Sequence, residues 1–122
     1  MNIKVMKFGG TSVATIEHII KASNKVMDAC KGSKVIVVLS AMAGVTNSLV
    51  DQIKKINGDA YNSESDLILS TGEQVSIGLM SLYLNSMGVK SRTWTSWQIP
   101  IMTNKNYGKA RIENISSENI IN

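Results

Sequence analysis

The six residues Lys7–Ser12, KFGGTS, place a cation, two glycines and two hydroxyls side by side. A strand that ends in paired glycines and passes into a helix leaves backbone N–H groups unpaired, and glycine lets a ligand approach that backbone closely. Lys7 adds a positive charge, so the segment suits the phosphates of a nucleotide. It matches neither the G-x-x-x-x-G-K-[ST] nor the G-x-G-x-x-G pattern. A tight turn with a serine cap and a solvated lysine remains the alternative.

A second segment, Ser40–Asn47 (SAMAGVTN), repeats this layout, because small and hydroxyl residues again follow an apolar run. In open α/β sheets ligands bind outside the carboxyl ends of the strands, so two such loops would converge on one crevice. The alternative for Thr46 and Asn47 is a plain helix cap.

Glu73, within Leu69–Gln74 (LSTGEQ), precedes a strongly apolar stretch. A carboxylate buried there without a partner would cost several kcal/mol, so it would need a partner such as a ligand ammonium group. The spacing Ser70-x-x-Glu73 also fits a capping box, which needs no ligand. His18 has no second metal-binding residue at ligand spacing, so we interpret it as structural and predict no metal site.

The hydrophobic periodicity predicts the elements that must position these loops. The β-branched run 35–39 is typical of a parallel strand covered on both faces, which indicates an α/β layer fold. The second half of the third helix is apolar nearly all round, as in a helix sunk between other elements. Strands are predicted at 3–8, 35–39 and 89–95, helices at 12–31 (capped by Ser12), 45–56 and 65–87 (broken near 70–72), a polar connection at 59–64, an extended edge or hairpin at 97–102, and a short capped tail from 116.

Composition narrows the function classes. The 122 residues suffice for one domain, and 43% hydrophobic with 18% charged residues is an ordinary globular profile. The lysines behind the net charge of +4 are scattered, which disfavours a nucleic-acid partner. Cys30 is alone and sits in a helical pattern, so we expect a small buried residue in a reducing compartment. We see no apolar run near bilayer length and no signal peptide, which predicts a cytoplasmic protein without a membrane partner.

Four segments, in order and spacing, resemble the successive motifs of the aspartate kinases in the amino acid kinase superfamily. They cover essentially the whole chain and are Lys7–Val13, Leu39–Asn47, Leu69–Val75 and Lys109–Ile112. The resemblance implies a three-layer αβα sandwich around a mostly parallel sheet.

The resemblance also implies a reaction and its residues. Aspartate kinases use ATP with Mg to phosphorylate the side-chain carboxylate of L-aspartate, giving 4-phospho-L-aspartate, the first step towards lysine, diaminopimelate, threonine and methionine. Lys7 would be catalytic, neutralising charge on the transferring phosphoryl group. Thr46 and Glu73 would hold aspartate, with Glu73 receiving its α-ammonium group. The nucleotide would be bound by Lys7, Phe8, Gly9, Gly10 and Ser40.

Aspartate kinases contain further segments and domains that we do not find in residues 1–122. A Gly-rich motif, an Arg and Asp of the site, the adenine-binding loops and the ACT regulatory domains would follow residue 122. We therefore expect residues 1–122 to be the N-terminal portion of a kinase domain, from a truncated or split gene, with little or no activity alone. The alternatives are a non-catalytic remnant, or a partial subunit that needs a second polypeptide. Glutamate 5-kinase and uridylate kinase are alternative assignments within the superfamily. The segment Ser70–Gln74 favours aspartate kinase over both. The sequence leaves open whether the chain forms a homo-oligomer or binds a complementing C-terminal polypeptide.

Overall fold

The computed structural model describes residues 2–59 and 61–121. Strands β1 (Ile3–Phe8) and β2 (Lys34–Leu39) pair in parallel, with Ile3 opposite Lys34 and Phe8 opposite Leu39. Helix α1 (Ile16–Cys30) forms the crossover that parallel neighbours require. The predicted α/β class with a parallel sheet is confirmed.

The start of α1 differs from the prediction. A 3-10 helix, Gly10–Val13, takes up the residues after β1, so the N-cap of α1 is Thr15 and not Ser12. The Thr15 hydroxyl accepts a hydrogen bond from the His18 backbone N–H at 3.3 Å and lies 2.8 Å from His18 Nδ1. His18 therefore belongs to a helix cap.

Helices α2 (Val45–Asn57) and α3 (Ser63–Ser86) follow. Helix α3 is continuous, so the predicted break near 70–72 is wrong. Its capping box is formed by Asn62 and Ser65, whose side chains each accept the other residue's backbone N–H. The alternative capping box at Ser70 and Glu73 is therefore excluded.

The remainder of the chain forms a hairpin and a short helix. Strands β3 (Ile101–Thr103) and β4 (Ile112–Ile115) pair antiparallel, and helix α4 spans Glu118–Ile121. The predicted strand 89–95 is wrong, because no residue of that range is in a strand. The backbone N–H groups of Val89 and Ser91 instead form hydrogen bonds with residues at the end of α3. The predicted 59–64 connection and tail include residues 60 and 122, which lie outside the described residues.

Helices α1 and α3 cover one face of the parallel sheet. Alternate residues of each strand point to the same face, and those of β1 and β2 that meet the helices are Met6, Phe8, Val35, Val37 and Leu39. Against them lie the buried residues Val13, Ile19, Ala22, Val26, Met80 and Leu84. This is the main hydrophobic core of the described residues.

The other face of the sheet is open, and we call it the bare sheet face. It carries Ile3, Val5, Ile36 and Val38, whose exposed fractions are 55, 64, 36 and 46%. The expectation that strand 35–39 is covered on both faces is therefore not met within residues 2–59 and 61–121. Two of the three predicted layers are therefore present in the described residues: the parallel sheet and the helices that cover one of its faces.

Two further expectations about burial are wrong. Cys30 is exposed, because it is the last residue of α1 and lies beyond the core. Val75 and Leu82 of α3 are exposed, so the second half of that helix is buried on one side only.

Helix α3 contradicts the expectation that no apolar run approaches the length of a bilayer. By length and composition alone it is long and apolar enough to cross a membrane. Its buried positions include Ser76, Met80 and Leu84, of which the last two belong to the core. We therefore interpret α3 as a core helix.

Candidate functional site

The candidate site lies at the carboxyl edge of the parallel sheet. Loop 1 (residues 9–13) follows β1 and loop 2 (residues 40–44) follows β2, so both leave the sheet at the same edge. The Ser40 N–H donates to the Phe8 carbonyl at 3.1 Å, which extends the strand pairing by one residue. A Cβ placed on Gly10 would lie 3.5 Å from the Ala41 carbonyl oxygen, so the two loops are in van der Waals contact.

The residues of loop 1 and the end of β1 divide between the two faces of the sheet. Phe8 is half-buried against the core, whereas Lys7 is exposed at the end of the bare sheet face, opposite Val38. Gly9 is extended, and its carbonyl accepts from the Ser12 N–H at 3.0 Å. The first N–H groups of the 3-10 helix after Gly9 have no acceptor within that helix. A cation and backbone amides without an intrahelical acceptor therefore lie at one strand end.

Helix α3 holds loop 2 in place through two small residues. Gly72 is buried, and a Cβ there would lie 3.0 Å from Ala41 Cβ and 3.3 Å from Val45 Cγ1. Ser76 is fully buried, and its hydroxyl donates to the Ser40 carbonyl at 2.7 Å. Sequence reasoning missed both residues. Their spacing of four, which puts two small residues on one helix face, is the signal that could have found them.

The two residues assigned to aspartate lie next to that contact. Thr46 is exposed in the first turn of α2, immediately after Val45, and Glu73 is half-buried in α3, immediately after Gly72. The N-cap of α2 is Gly44, in the left-handed region at φ 78°, without a side-chain cap bond. The plain cap by Thr46 or Asn47 is therefore not formed.

Two polar groups of the site are free to meet a ligand. In the described part of the chain, the Glu73 carboxylate has no hydrogen bond and no ion pair. The Ser40 backbone is engaged by Phe8 and Ser76, while its hydroxyl has no bond among the same residues. The arrangement thus places a carboxylate and hydroxyls beside two touching loops, and a cation and backbone amides at the end of β1.

We predict that Ser76→Ala destabilises the fold, because it leaves the Ser40 carbonyl without its donor. The expected loss in the free energy of unfolding is about 1–2 kcal/mol, measured by urea denaturation. Ser86→Ala is the matched control, since Ser86 is exposed and, in the part of the chain that the structure describes, its hydroxyl donates only to the nearby Tyr83 carbonyl. Its effect should stay within about 0.5 kcal/mol. Equal effects of the two variants would argue against a role of Ser76 in holding loop 2.

Comparison with protein families and curated sequences gives a consistent result. Residues 2–122 match the amino acid kinase family. The chain is 44% identical to an aspartokinase of Bacillus sp. (strain MGA3) over 121 residues, covering 98% of this chain and 29% of that protein. It is 46% identical to the aspartokinase of Geobacillus stearothermophilus, covering 98% of this chain and 30% of that protein. The chain thus spans less than a third of the length of these relatives.

Solved structures show the same fold. The aspartate kinase from Synechocystis aligns with a TM-score of 0.76 and 40% identity over 80% of this chain and 17% of that protein. Aspartokinase III of E. coli, solved in complex with aspartate and ADP, aligns with a TM-score of 0.76 and 24% identity over 92% of this chain and 35% of that protein.

Proposed function

Because the chain belongs to the amino acid kinase family, we propose that it carries part of the site of an aspartate kinase. That enzyme transfers the γ-phosphoryl group of ATP to the side-chain carboxylate of L-aspartate and forms ADP and 4-phospho-L-aspartate. The product would feed the synthesis of lysine through diaminopimelate, and of threonine and methionine. The observation that carries the proposal is the contact between loops 1 and 2 at one sheet edge, beside the half-buried Glu73, whose carboxylate has no hydrogen bond or ion pair among the described residues.

Each proposed role is the one that the resemblance to aspartate kinases implies, and each suits the chemistry of its residue. Phosphoryl transfer depends mainly on positioning and on neutralising charge, with little covalent work for the protein. Lys7 would stabilise the negative charge that develops on the transferring group. The backbone at Phe8, Gly9 and Gly10 would approach the ATP phosphates, and the Ser40 hydroxyl would lie on the nucleotide side.

The acceptor substrate would be held by two residues. The Glu73 carboxylate would receive the α-ammonium group of aspartate, since a half-buried anion gains most from a cationic partner. The Thr46 hydroxyl would hydrogen-bond the substrate. Together they would point the side-chain carboxylate of aspartate towards the phosphoryl group.

Mg²⁺ would accompany ATP and neutralise its phosphate oxygens. Among residues 2–59 and 61–121 there is no cluster of three or more His, Cys, Asp or Glu side chains that could hold a metal ion. We therefore assign no residue of this chain to the ion. We also assign none to the adenine base.

We further propose that turnover needs the remainder of a kinase domain, either as a longer chain or as a separate polypeptide in a cytoplasmic assembly. Two observations support this. The chain spans about 30% of the aspartokinases that it matches, and the bare sheet face exposes β-branched residues of the kind that parallel sheets cover. The same face supports the second candidate, a non-catalytic piece that binds a second polypeptide.

Aspartate-dependent ADP formation by the purified chain tests these alternatives. It should be measured with the chain alone and with residues from a related aspartokinase that follow the matched region, added as a separate polypeptide. We expect no turnover alone and turnover on addition. Turnover by the chain alone would contradict the need for a remainder, and failure of both while the pieces bind would favour the non-catalytic candidate.

A further inference from the structure

The tip of the β3–β4 hairpin lies against the first turn of α3. The Gly108 N–H donates to both carboxylate oxygens of Asp66, at 3.2 and 3.4 Å. Gly108 has φ +77°, and a Cβ on it would overlap the ring of Tyr61. Gly108 therefore sits in a slot between an aromatic ring and a carboxylate, in a conformation that glycine adopts without strain.

This contact is the main polar attachment of the hairpin. Within the described residues, the bonds to Asp66 are the only hydrogen bonds that join residues 101–115 to any residue before 96. The apolar residues Met102, Ile112 and Ile115 of the two strands are exposed and lie outside the hydrophobic core of the described residues. The position of the hairpin thus depends on its tip.

The loop at the tip is built to present its backbone in a fixed shape. The Asn104 side-chain oxygen accepts from the backbone N–H groups of Asn106 at 3.1 Å and Arg111 at 3.3 Å. The Lys109 N–H donates to the Asn106 carbonyl at 3.0 Å. Lys109 and Arg111 are exposed on this closed loop.

A second attachment ties the chain before the hairpin to the other end of α3. The Ser91 N–H donates to Asn85 Oδ1 at 2.9 Å, and the hydroxyls of Ser81 and Ser91 lie 2.8 Å apart. Asp66 and Asn85 are 19 residues apart on one helix, which corresponds to about 28 Å. Residues 91–108, which we call the strap, are therefore tied to both ends of α3.

We propose that Asp66 and Tyr61 form a latch for Gly108, which positions the Lys109–Ile112 segment relative to α3, the helix that carries Glu73. A carboxylate is a strong acceptor for a backbone N–H, and its two oxygens tolerate small shifts of the tip. Release of the latch frees the hairpin while the Ser91 end of the strap stays attached. The latch is independent of the proposed kinase function.

Nuclear magnetic resonance of the full chain tests the latch directly. In the wild type we expect contacts between the Tyr61 ring protons and the Gly108 Hα protons, whose resonances the ring shifts upfield. Asp66→Ala should abolish this shift and lower the hydrogen-exchange protection of the Gly108 amide about tenfold, the order expected for a charge-assisted bond. The amide of Ser91 should keep its protection.

Glu64→Ala is the matched control, because Glu64 is an exposed acid in the same helical turn, and among the described residues its carboxylate makes no hydrogen bond. It should leave the Gly108 resonances unchanged. Asp66→Asn keeps one acceptor oxygen and should retain part of the ring shift. A wild-type chain without Tyr61–Gly108 contacts would overturn the proposal even if Asp66→Ala did not fold, and so would an Asp66→Ala variant that keeps the full ring shift.

Discussion

Lys7→Ala is expected to lower aspartate-dependent ADP formation by a factor on the order of 10²–10³, since removal of one preorganised group that stabilises transition-state charge has effects of this size. The assay uses the chain together with the complementing part of a kinase domain. The circular dichroism spectrum should be unchanged, because the Lys7 side chain is exposed and is not part of the hydrophobic core of the described residues. Unchanged turnover would remove Lys7 from the mechanism.

Lys34→Ala provides the control for charge on the same surface. Lys34 is exposed and lies on the same face of the sheet as Lys7, but opposite Ile3 at the other end of the strands. Its removal changes the net charge by the same amount, far from the carboxyl edge. Turnover should therefore be retained, and an equal loss in both variants would indicate a general effect of surface charge.

Gly72→Leu is expected to cause the largest loss of stability. Since a single Cβ at this position already meets Ala41 at 3.0 Å and Val45 at 3.3 Å, a leucine side chain must push α2 and loop 2 away from α3. Overpacking of this kind costs about 3 kcal/mol in the free energy of unfolding, measurable by urea denaturation. The displacement of Ala41 should also disturb the contact between the two loops.

Gly78→Ala tests whether this loss reflects packing and not the glycine itself. Gly78 is exposed in the same helix, and apart from the backbone of its own helix and its chain neighbours a Cβ there would meet no atom of the described residues within 4 Å. Alanine should raise stability by about 0.5–1 kcal/mol through its higher helix propensity. A variant Gly72→Leu as stable as the wild type would contradict the close approach of α2 and α3.

The local sequence pattern was enough to predict the strands and loops that surround the site. The run of β-branched residues placed β2 within one residue of its observed start, and the alternation before Gly9 gave the bounds of β1. Parallel pairing and the two glycine-containing loops then indicated the shared sheet edge. The strand bounds and the loops depend on neighbours in sequence, so they can be read without coordinates.

Features that depend on distant residues were not predictable in this way. Gly72 suggested a helix break, but α3 is continuous there. The absence of a side chain at Gly72 instead allows α2 and loop 2 to approach α3 closely. Residues 89–95 have a strand-like composition, yet the Asn85 side chain at the end of α3 forms hydrogen bonds with both the N–H and the carbonyl of Ser91. The roles of Lys7, Ser40, Thr46 and Glu73 stay predictions, since they require a bound substrate.

The bare sheet face has a thermodynamic consequence. Any polypeptide layer that covers Ile3, Val5, Ile36 and Val38 binds the folded chain and not the unfolded one, so the free energy of unfolding increases with the logarithm of its free concentration once that concentration exceeds the dissociation constant. Assembly and folding would then be linked equilibria, and the melting temperature of the mixture would rise with the amount of the covering piece. Substitutions that weaken the fold would consequently appear as weakened association.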